Sequence, residues 1–468
     1  EEATQRNLEG YVITLQFPSL LPVLTYAENR ELRKELAIAN GKKSFDGGEF
    51  DNQNLIKELV QLRQEKAQLL GYKSFADYVL EERMAKSPQK VLEFLNELLT
   101  KAKPFAEKEV EELSVLAKAD GITEMQSYDH AYYAEKLRKQ KFDFNDEELK
   151  PYFQLDKVQE AVFGLAGKLF GLEFVETTDI QKYHADVKTY EIYEGENFKA
   201  LLYADYHPRK GKRAGAWMTS FKNQYIKNGK NHRPHISVVC NFTKPTAETP
   251  SLLTFNEVTT LFHEFGHALH GILANTQYPN LSGTSVKWDF VELPSQFLEN
   301  YCYEPEFLKT FAKHYQTGEV LPDEKIQKIE DSKNFMEGYQ TLRQLSFGIL
   351  DMSYHAENVK VEDVKTFETE TIKATQVYPT LSETAVSTSF SHIFQGGYSA
   401  GYYSYKWAEV LDADAFQYFK ENGVFDPLIS KKFKTLLESG GTKDPMELYK
   451  NFRGSEPKVE SLLKRAFG

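Results

Sequence analysis

Along most of the chain, apolar residues recur at intervals of three and four, the period of a helix with one buried face. The pattern predicts helices over Glu28 to Asn40, closed by Gly41, and over Asn54 to Leu70, closed by Gly71. Ser74 to Arg83 and Pro88 to Ala119 follow. Ser87 suits the N-cap of the last of these and Pro88 its first turn, with Val91, Leu92, Leu95, Leu98 and Leu99 on the core side. Pro104 is expected to kink or divide it, because proline lacks an N–H and crowds the preceding turn. Further helices are expected from Asp129 onward and over Leu155 to Phe170, the second closed by Gly171.

The period then changes. Val187 to Tyr193 and Phe198 to Asp205 are rich in β-formers and are joined by Glu194-Gly195-Glu196-Asn197, which predicts a hairpin. His235 to Cys240 predicts another strand. Helical spacing resumes with Val258, Leu261, Phe262, Phe265, Ala268, Leu269, Ile272 and Leu273. Asn275 to Gly283 is a loop by composition, long enough for a second helix, with Pro294 in its first turn, to fold back over the first. Pro305 to His314, Asp323 to Met352 and Val359 to Lys373 read as helices, and Pro379 to Ser389 as a flexible loop. Trp407 to Phe419 and Pro457 to Arg465 complete a helical scaffold. No internal repeat or low-complexity linker interrupts the series. The expected fold class is mainly α, with a small β-sheet just before the helix that contains Phe265.

Composition narrows the possible roles. The 468 residues carry 57 Lys and Arg against 69 Asp and Glu, a net charge of −12, which disfavours a nucleic-acid partner. No long uncharged apolar run exists, so no membrane span is expected. Two cysteines, Cys240 and Cys302, fit a reducing compartment, and Glu1 to Asn7 does not read as a signal peptide; a cytoplasmic location is the expectation.

The chemistry concentrates on one helix. His263-Glu264-Phe265-Gly266-His267 is a His-Glu-x-x-His motif. At about 100° per residue the two imidazoles lie one turn apart, away from the apolar stripe, where they can share a zinc ion. Glu264 beside them can take a proton from an activated water. A hydrolytic zinc site wants a third protein ligand and one open position. His270 is on the same face, but about 10 Å along the axis from His263. The remaining source is a carboxylate on the following helix: Glu292, Glu299 or Asp289. Pro294 puts Glu292 near that helix's N-terminus, which favours it, and leaves Glu299 or Asp289 to orient a histidine from behind. Periodicity alone does not choose among the three.

Other polar clusters are weaker. Arg209-Lys210-Gly211-Lys212-Arg213-Ala214-Gly215-Ala216-Trp217 lacks the order of a phosphate-binding loop and reads as a basic loop that receives, at most, a substrate carboxylate. His130 reads as structural or channel-lining. Cys240 lies in a strand pattern, which argues against a thiol mechanism, and no serine has a nucleophile-elbow context. Phe390 to Tyr405 is dense in glycine and tyrosine. Tyr398 and Tyr405 are seven apart, hence on one face if the segment is helical. A phenol beside a zinc site can donate to the oxyanion of amide hydrolysis.

His263 to His270, followed by Trp288-Asp289-Phe290-Val291-Glu292-Leu293-Pro294-Ser295-Gln296, resembles the thimet oligopeptidase family of zinc metallopeptidases. The resemblance runs from near Leu8 almost to the C-terminus. It implies one catalytic Zn²⁺ held by His263, His267 and Glu292, with Glu264 as general base and His392, Tyr398 and Tyr405 as substrate-binding groups. It implies two helical lobes flanking a deep substrate channel that admits short unstructured peptides. Residues 1–150 would form one helical lobe, as a partial N-terminal region. Residues 151–468 would form the zinc-binding catalytic region with the small sheet, part of it packing into the first lobe. Family members usually carry further residues before the equivalent of Asn7, so a missing N-terminal fragment of the same protein is an expected partner; otherwise a monomer is expected. The segments around Glu292 and Tyr405 stand slightly nearer the oligopeptidase branch, with a peptidyl-dipeptidase that releases C-terminal dipeptides as the alternative. A non-catalytic helical binding protein with structural zinc is the alternative of another class.

Overall fold

Several helices start where the chain offers a side-chain cap. In the computed structural model, which describes residues 3, 7–15, 17–142, 146–213 and 215–468, Asn29 accepts from the Leu32 N–H and opens the helix Arg30–Gly41. Ser74 and Ser87 do the same for Phe75–Leu80 and Pro88–Ala119. The basic loop's Ala214 and most of the segment Glu1 to Asn7 lie outside the described residues. Among the described residues, no helix is long and apolar enough to cross a membrane.

The chain divides into two compact units. One contains the chain up to Asp143 together with Asn334–Tyr403. Its backbone is the helix Pro88–Ala119, which continues through Pro104 rather than dividing there. Pro104 is on the exposed side, so the carbonyl it leaves without a donor faces water. The helix expected over Asp323 to Met352 is two helices, Asp323–Ser332 and Glu337–Tyr354. Between them Met336 adopts a left-handed conformation, with φ of 59°. The Glu109 carboxylate accepts from the N–H groups of Gly338 (3.0 Å) and Tyr339 (2.8 Å), which satisfies the start of the second helix. A Cβ at Gly338 would stand 2.5 Å from the Ala106 nitrogen, so this glycine lets the helices Pro88–Ala119 and Glu337–Tyr354 meet backbone to backbone.

His130 belongs to this unit's packing. Its ring stacks on Tyr339 with centroids 3.6 Å apart, and its Nδ1 lies 2.8 Å from the Tyr378 hydroxyl. Next to it, buried Asp129 accepts from Arg30 and from buried Arg33.

The second unit contains Phe144–Lys333 and Ser404–Ala466. Its sheet is built from β1 (Leu172–Glu176), β2 (Lys188–Glu194), β3 (Asn197–Asp205), β4 (Trp217–Lys222) and β7 (His235–Val239); β5 (Tyr225–Lys227) and β6 (Lys230–His232) form a separate hairpin. The order is β1-β2-β3-β7-β4, with β3 and β7 parallel and the other pairs antiparallel. The predicted hairpin is β2–β3. The sheet packs against the helix Phe255–Leu273, where Phe163, Phe174 and Phe265 form an aromatic contact. The protein is thus mainly helical with one small sheet beside the His-Glu-x-x-His helix, as the periodicity predicts.

Burial holds the His130 imidazole at a pKa of about 3, against an ordinary 6.5. The unfolded chain takes up this proton below 6.5 and the folded chain does not until about 3. Stability therefore falls as pH drops through that window, by up to about 1.4 kcal/mol per pH unit. Thermal melts of the native protein and of His130→Asn between neutral and mildly acidic pH should show the steeper loss in the native chain. Parallel curves would remove His130 as the cause.

Candidate metal centre and its surroundings

The helix Phe255–Leu273 begins with a reciprocal cap: Thr254 accepts from the Glu257 N–H, and Glu257 accepts from the Thr254 N–H. Val258, Leu261, Phe262, Phe265, Ala268, Leu269, Ile272 and Leu273 are all buried, which turns His263 and His267 to the opposite, half-buried side. The following helix, Leu293–Glu299, starts with Glu292 at its N-cap and Pro294 in its first turn. It crosses the first helix at Gly266, where a Cβ would stand 2.3 Å from the Pro294 oxygen and 2.5 Å from the Ser295 Cα. No other residue type fits that approach.

The crossing brings three ligand atoms together. Glu292 Oε2 lies 3.3 Å from His263 Nε2 and 3.2 Å from His267 Nε2. Tetrahedral zinc with bonds of about 2.0–2.2 Å separates its ligand atoms by about 3.3–3.6 Å, so these residues fit the ion. Ser295 Oγ donates to Glu292 Oε2 at 2.9 Å and fixes the carboxylate from behind. Burial alone would raise the Glu292 carboxyl, but the hydrogen bonds from both histidines outweigh it and hold it well below the carboxylate range. Burial would lower His263, yet its bonds to Glu292 and Glu299 raise it to about 10. The cluster is thus arranged to surround positive charge.

Of the three carboxylates open to sequence reasoning, Glu292 joins the cluster and Glu299 stands behind it, its Oε1 2.6 Å from His263 Nδ1. A bond there sets the imidazole's tautomer and turns Nε2 toward Glu292. Asp289 is buried outside the trio. His270 is fully buried, and burial holds its pKa at about 3, so it is neutral.

Glu264 is buried on the side of the sheet. Burial raises its carboxyl above the ordinary range; His263, His267 and the Met218 N–H pull the other way without cancelling it. Met218 lies on β4, the edge strand, which pairs only with β7 among the described strands. Strand β4 was not predicted, although Trp217 to Phe221 has the aromatic and β-branched content of one. The preceding basic loop is largely committed to itself. Arg209 makes a two-pronged pair with Asp205, and Lys212, whose side chain is tucked in, donates to the same carboxylate. Arg213 covers the Trp217 ring at 4.9 Å.

Tyr398 and Tyr405 do not share a helix. The helix begins at Ser404, so Tyr405 is its second residue and belongs to the unit that holds the metal cluster. Tyr398 lies in a turn of the other unit, where Ala400 takes a left-handed φ of 52° that no helix continues through. There His392, Tyr398 and Tyr402 form an aromatic trio, with ring centroids 5.6–6.4 Å apart.

The profile of peptidase family M3 matches residues 23–467. Oligopeptidase A of Escherichia coli is 42% identical over 474 residues, an alignment that covers 99% of this chain and 70% of that protein. Dipeptidyl carboxypeptidase of the same organism is 38% identical, covering 99% of this chain and 69% of that protein. Among solved structures, PZ peptidase A with an inhibitor superposes with a TM-score of 0.57 at 19% identity, over 98% of this chain and 71% of that one. That last likeness concerns the fold.

Gly266→Ala should push the Leu293–Glu299 helix away and separate Glu292 from the two imidazoles. Zinc content after dialysis against a mild chelator should fall at least about tenfold, with the helix content kept. Full zinc retention would mean that the crossing does not set the ligand geometry.

Proposed function

The chain belongs to peptidase family M3 and is a zinc metallopeptidase acting on peptides, and from that premise we propose that it cuts internal bonds of short unstructured peptides, as an oligopeptidase. The observation that carries the chemistry is the convergence of His263, His267 and Glu292 with Glu264 buried beside them. The three-residue set would hold the zinc and leaves room for an exchangeable position, unlike a closed structural site. When bound, zinc supplies Lewis acidity: it makes a water acidic near neutral pH and polarises the scissile carbonyl.

The remaining work falls to the chain. Glu264 takes the proton of the attacking water on its carboxylate and hands it to the leaving amine nitrogen. Its raised proton affinity suits that exchange. Tyr405 and Tyr398 donate their phenolic protons to the oxyanion that develops on the carbonyl oxygen. His392, kept below the ordinary imidazole range by burial and hence neutral, orients the substrate by donating from one ring nitrogen and accepting at the other. The open side of β4 gives an extended peptide a row of backbone groups to pair with, next to Glu264. Two unbridged cysteines, both buried, suit work in the cytoplasm.

A second reading is peptidyl-dipeptidase action, favoured by the 38% identity to a dipeptidyl carboxypeptidase. The 42% identity to an oligopeptidase A supports the first. Two cations of the basic loop, Arg209 and Lys212, are already paired with Asp205 rather than held ready for a C-terminal carboxylate, which also favours internal cleavage.

Mass-spectrometric mapping of the products from one unstructured peptide, with a free or an amidated C-terminus, separates the two readings. Internal cuts in both forms are expected, abolished by a chelator. Dipeptides released from the free form alone would establish the second reading instead. Glu264→Gln should keep its zinc and lose about 100- to 10,000-fold in kcat. Zinc retained with near-native turnover would remove Glu264 as the base.

A further inference from the structure

Asp351 lies on the helix Glu337–Tyr354, fully buried, and takes part in none of the steps above. Its carboxylate accepts from three consecutive backbone amides. The Ala400 N–H reaches Oδ1 at 2.8 Å, and those of Gly401 and Tyr402 reach Oδ2 at 2.8 and 2.9 Å. Successive amides that converge on one anion form a nest, a geometry that requires a left-handed residue, here Ala400.

These amides end the segment that carries the aromatic trio. Within the segment, the Tyr398 N–H donates to the His392 carbonyl at 3.1 Å and the Gly401 N–H also donates to the Tyr398 carbonyl at 2.8 Å, while the Tyr402 ring packs on Phe347 and Phe390. Gly396, Gly397 and Gly401 leave it little conformational preference of its own. A fixed anion at the end of such a turn decides where His392 and Tyr398 stand.

The carboxylate is itself held. His355 Nδ1 lies 3.0 Å from Asp351 Oδ1 and 2.8 Å from the Asp351 carbonyl. His355 Nε2 lies 2.9 Å from Arg63. A guanidinium only donates, so Nε2 accepts, and Nδ1 carries the proton that points at Asp351. Arg63 in turn lies over the rings of Phe75 and Phe394, at 5.5 and 5.7 Å. All of these residues lie in one unit.

We infer that Asp351 is a positioning residue for the peptidase reaction: backed by His355 and Arg63, it fixes the Ala400–Tyr402 amides and thereby holds Tyr398 and His392 where they meet substrate. The inference rests on the proposed substrate contacts of those two side chains. A hydrogen-bond donor to a transition state tolerates little displacement, and misplacement of about 1 Å costs about 100-fold in rate. A merely structural aspartate would lower the melting temperature and leave turnover of the folded fraction alone.

The test is a kinetic cycle of Asp351→Asn, Tyr398→Phe and the double variant, with zinc content measured on each. Asp351→Asn should keep its zinc and lose about 100-fold in kcat, with KM changed less than about threefold. The double variant should lose clearly less than the product of the two single losses, because part of the Asp351→Asn effect acts through the Tyr398 phenol and the rest through His392. Native kcat in Asp351→Asn, or losses that multiply in the double variant, would overturn the inference while leaving the role of Tyr398 intact. Native turnover in Tyr398→Phe would remove the substrate contact itself, and the inference with it. Should Asp351→Asn not fold, His355→Asn takes its place in the cycle. It keeps a donor near Nδ1 and loses the link to Arg63, so a kcat loss of about tenfold, again not multiplying with Tyr398→Phe, is expected. Native kcat there, or a multiplying loss, overturns the inference.

Discussion

A Cβ at position 266 would overlap the backbone of Pro294 and Ser295, so the two helices that carry the metal cluster touch main chain to main chain. The distance between them has to be this short because a glutamate side chain is short. Glu292 extends from the very start of its helix and must reach two imidazoles one turn apart on the other. Gly271, on the next turn and toward the sheet, serves the same purpose: a Cβ there would stand 2.7 Å from Ile236 Cδ1 and 3.0 Å from Met218 Cε. The helix is thus pressed from two sides. The pressure toward the sheet seats the helix on β4 and β7, and the pressure toward the second helix brings Glu292 to the histidines.

Two buried carboxylates do opposite jobs with the same physics. A buried carboxylate is tolerated only when donors surround it. Glu292 is surrounded by imidazoles and one hydroxyl, groups that can give way to a cation. Asp351 is surrounded by an imidazole and by three backbone amides that cannot leave without unfolding the turn. The first arrangement makes a ligand and the second makes an anchor.

Much of this was legible in the residues. The helical stripe from Val258 to Leu273 and the pair His263 and His267 are local, since both follow from one period within one helix. Glu292 was favoured for its place beside Pro294, yet only the fold separated it from Glu299 and Asp289, because which carboxylate reaches depends on where two helices cross. The resemblance carried His392, Tyr398 and Tyr405 as a group. It did not reveal that a left-handed Ala400 separates Tyr398 from the helix of Tyr405, a break that the seven-residue spacing hides. Strand β4 escaped because its run is short and follows a glycine-containing loop. Asp351 left no signal at all: on its own helix it reads as one more polar residue, and the amides it holds are about fifty positions away.

The sequence by itself determined the reaction class, since two histidines and a glutamate at fixed helical spacing have few other uses, and it determined a mainly helical fold with one small sheet, since both are written in periods of a few residues. Tertiary structure decided which carboxylate completes the cluster and which buried anion holds the tyrosine-bearing turn. Those outcomes depend on contacts between segments far apart in the chain, and such contacts are set by packing, to which local periodicity is blind.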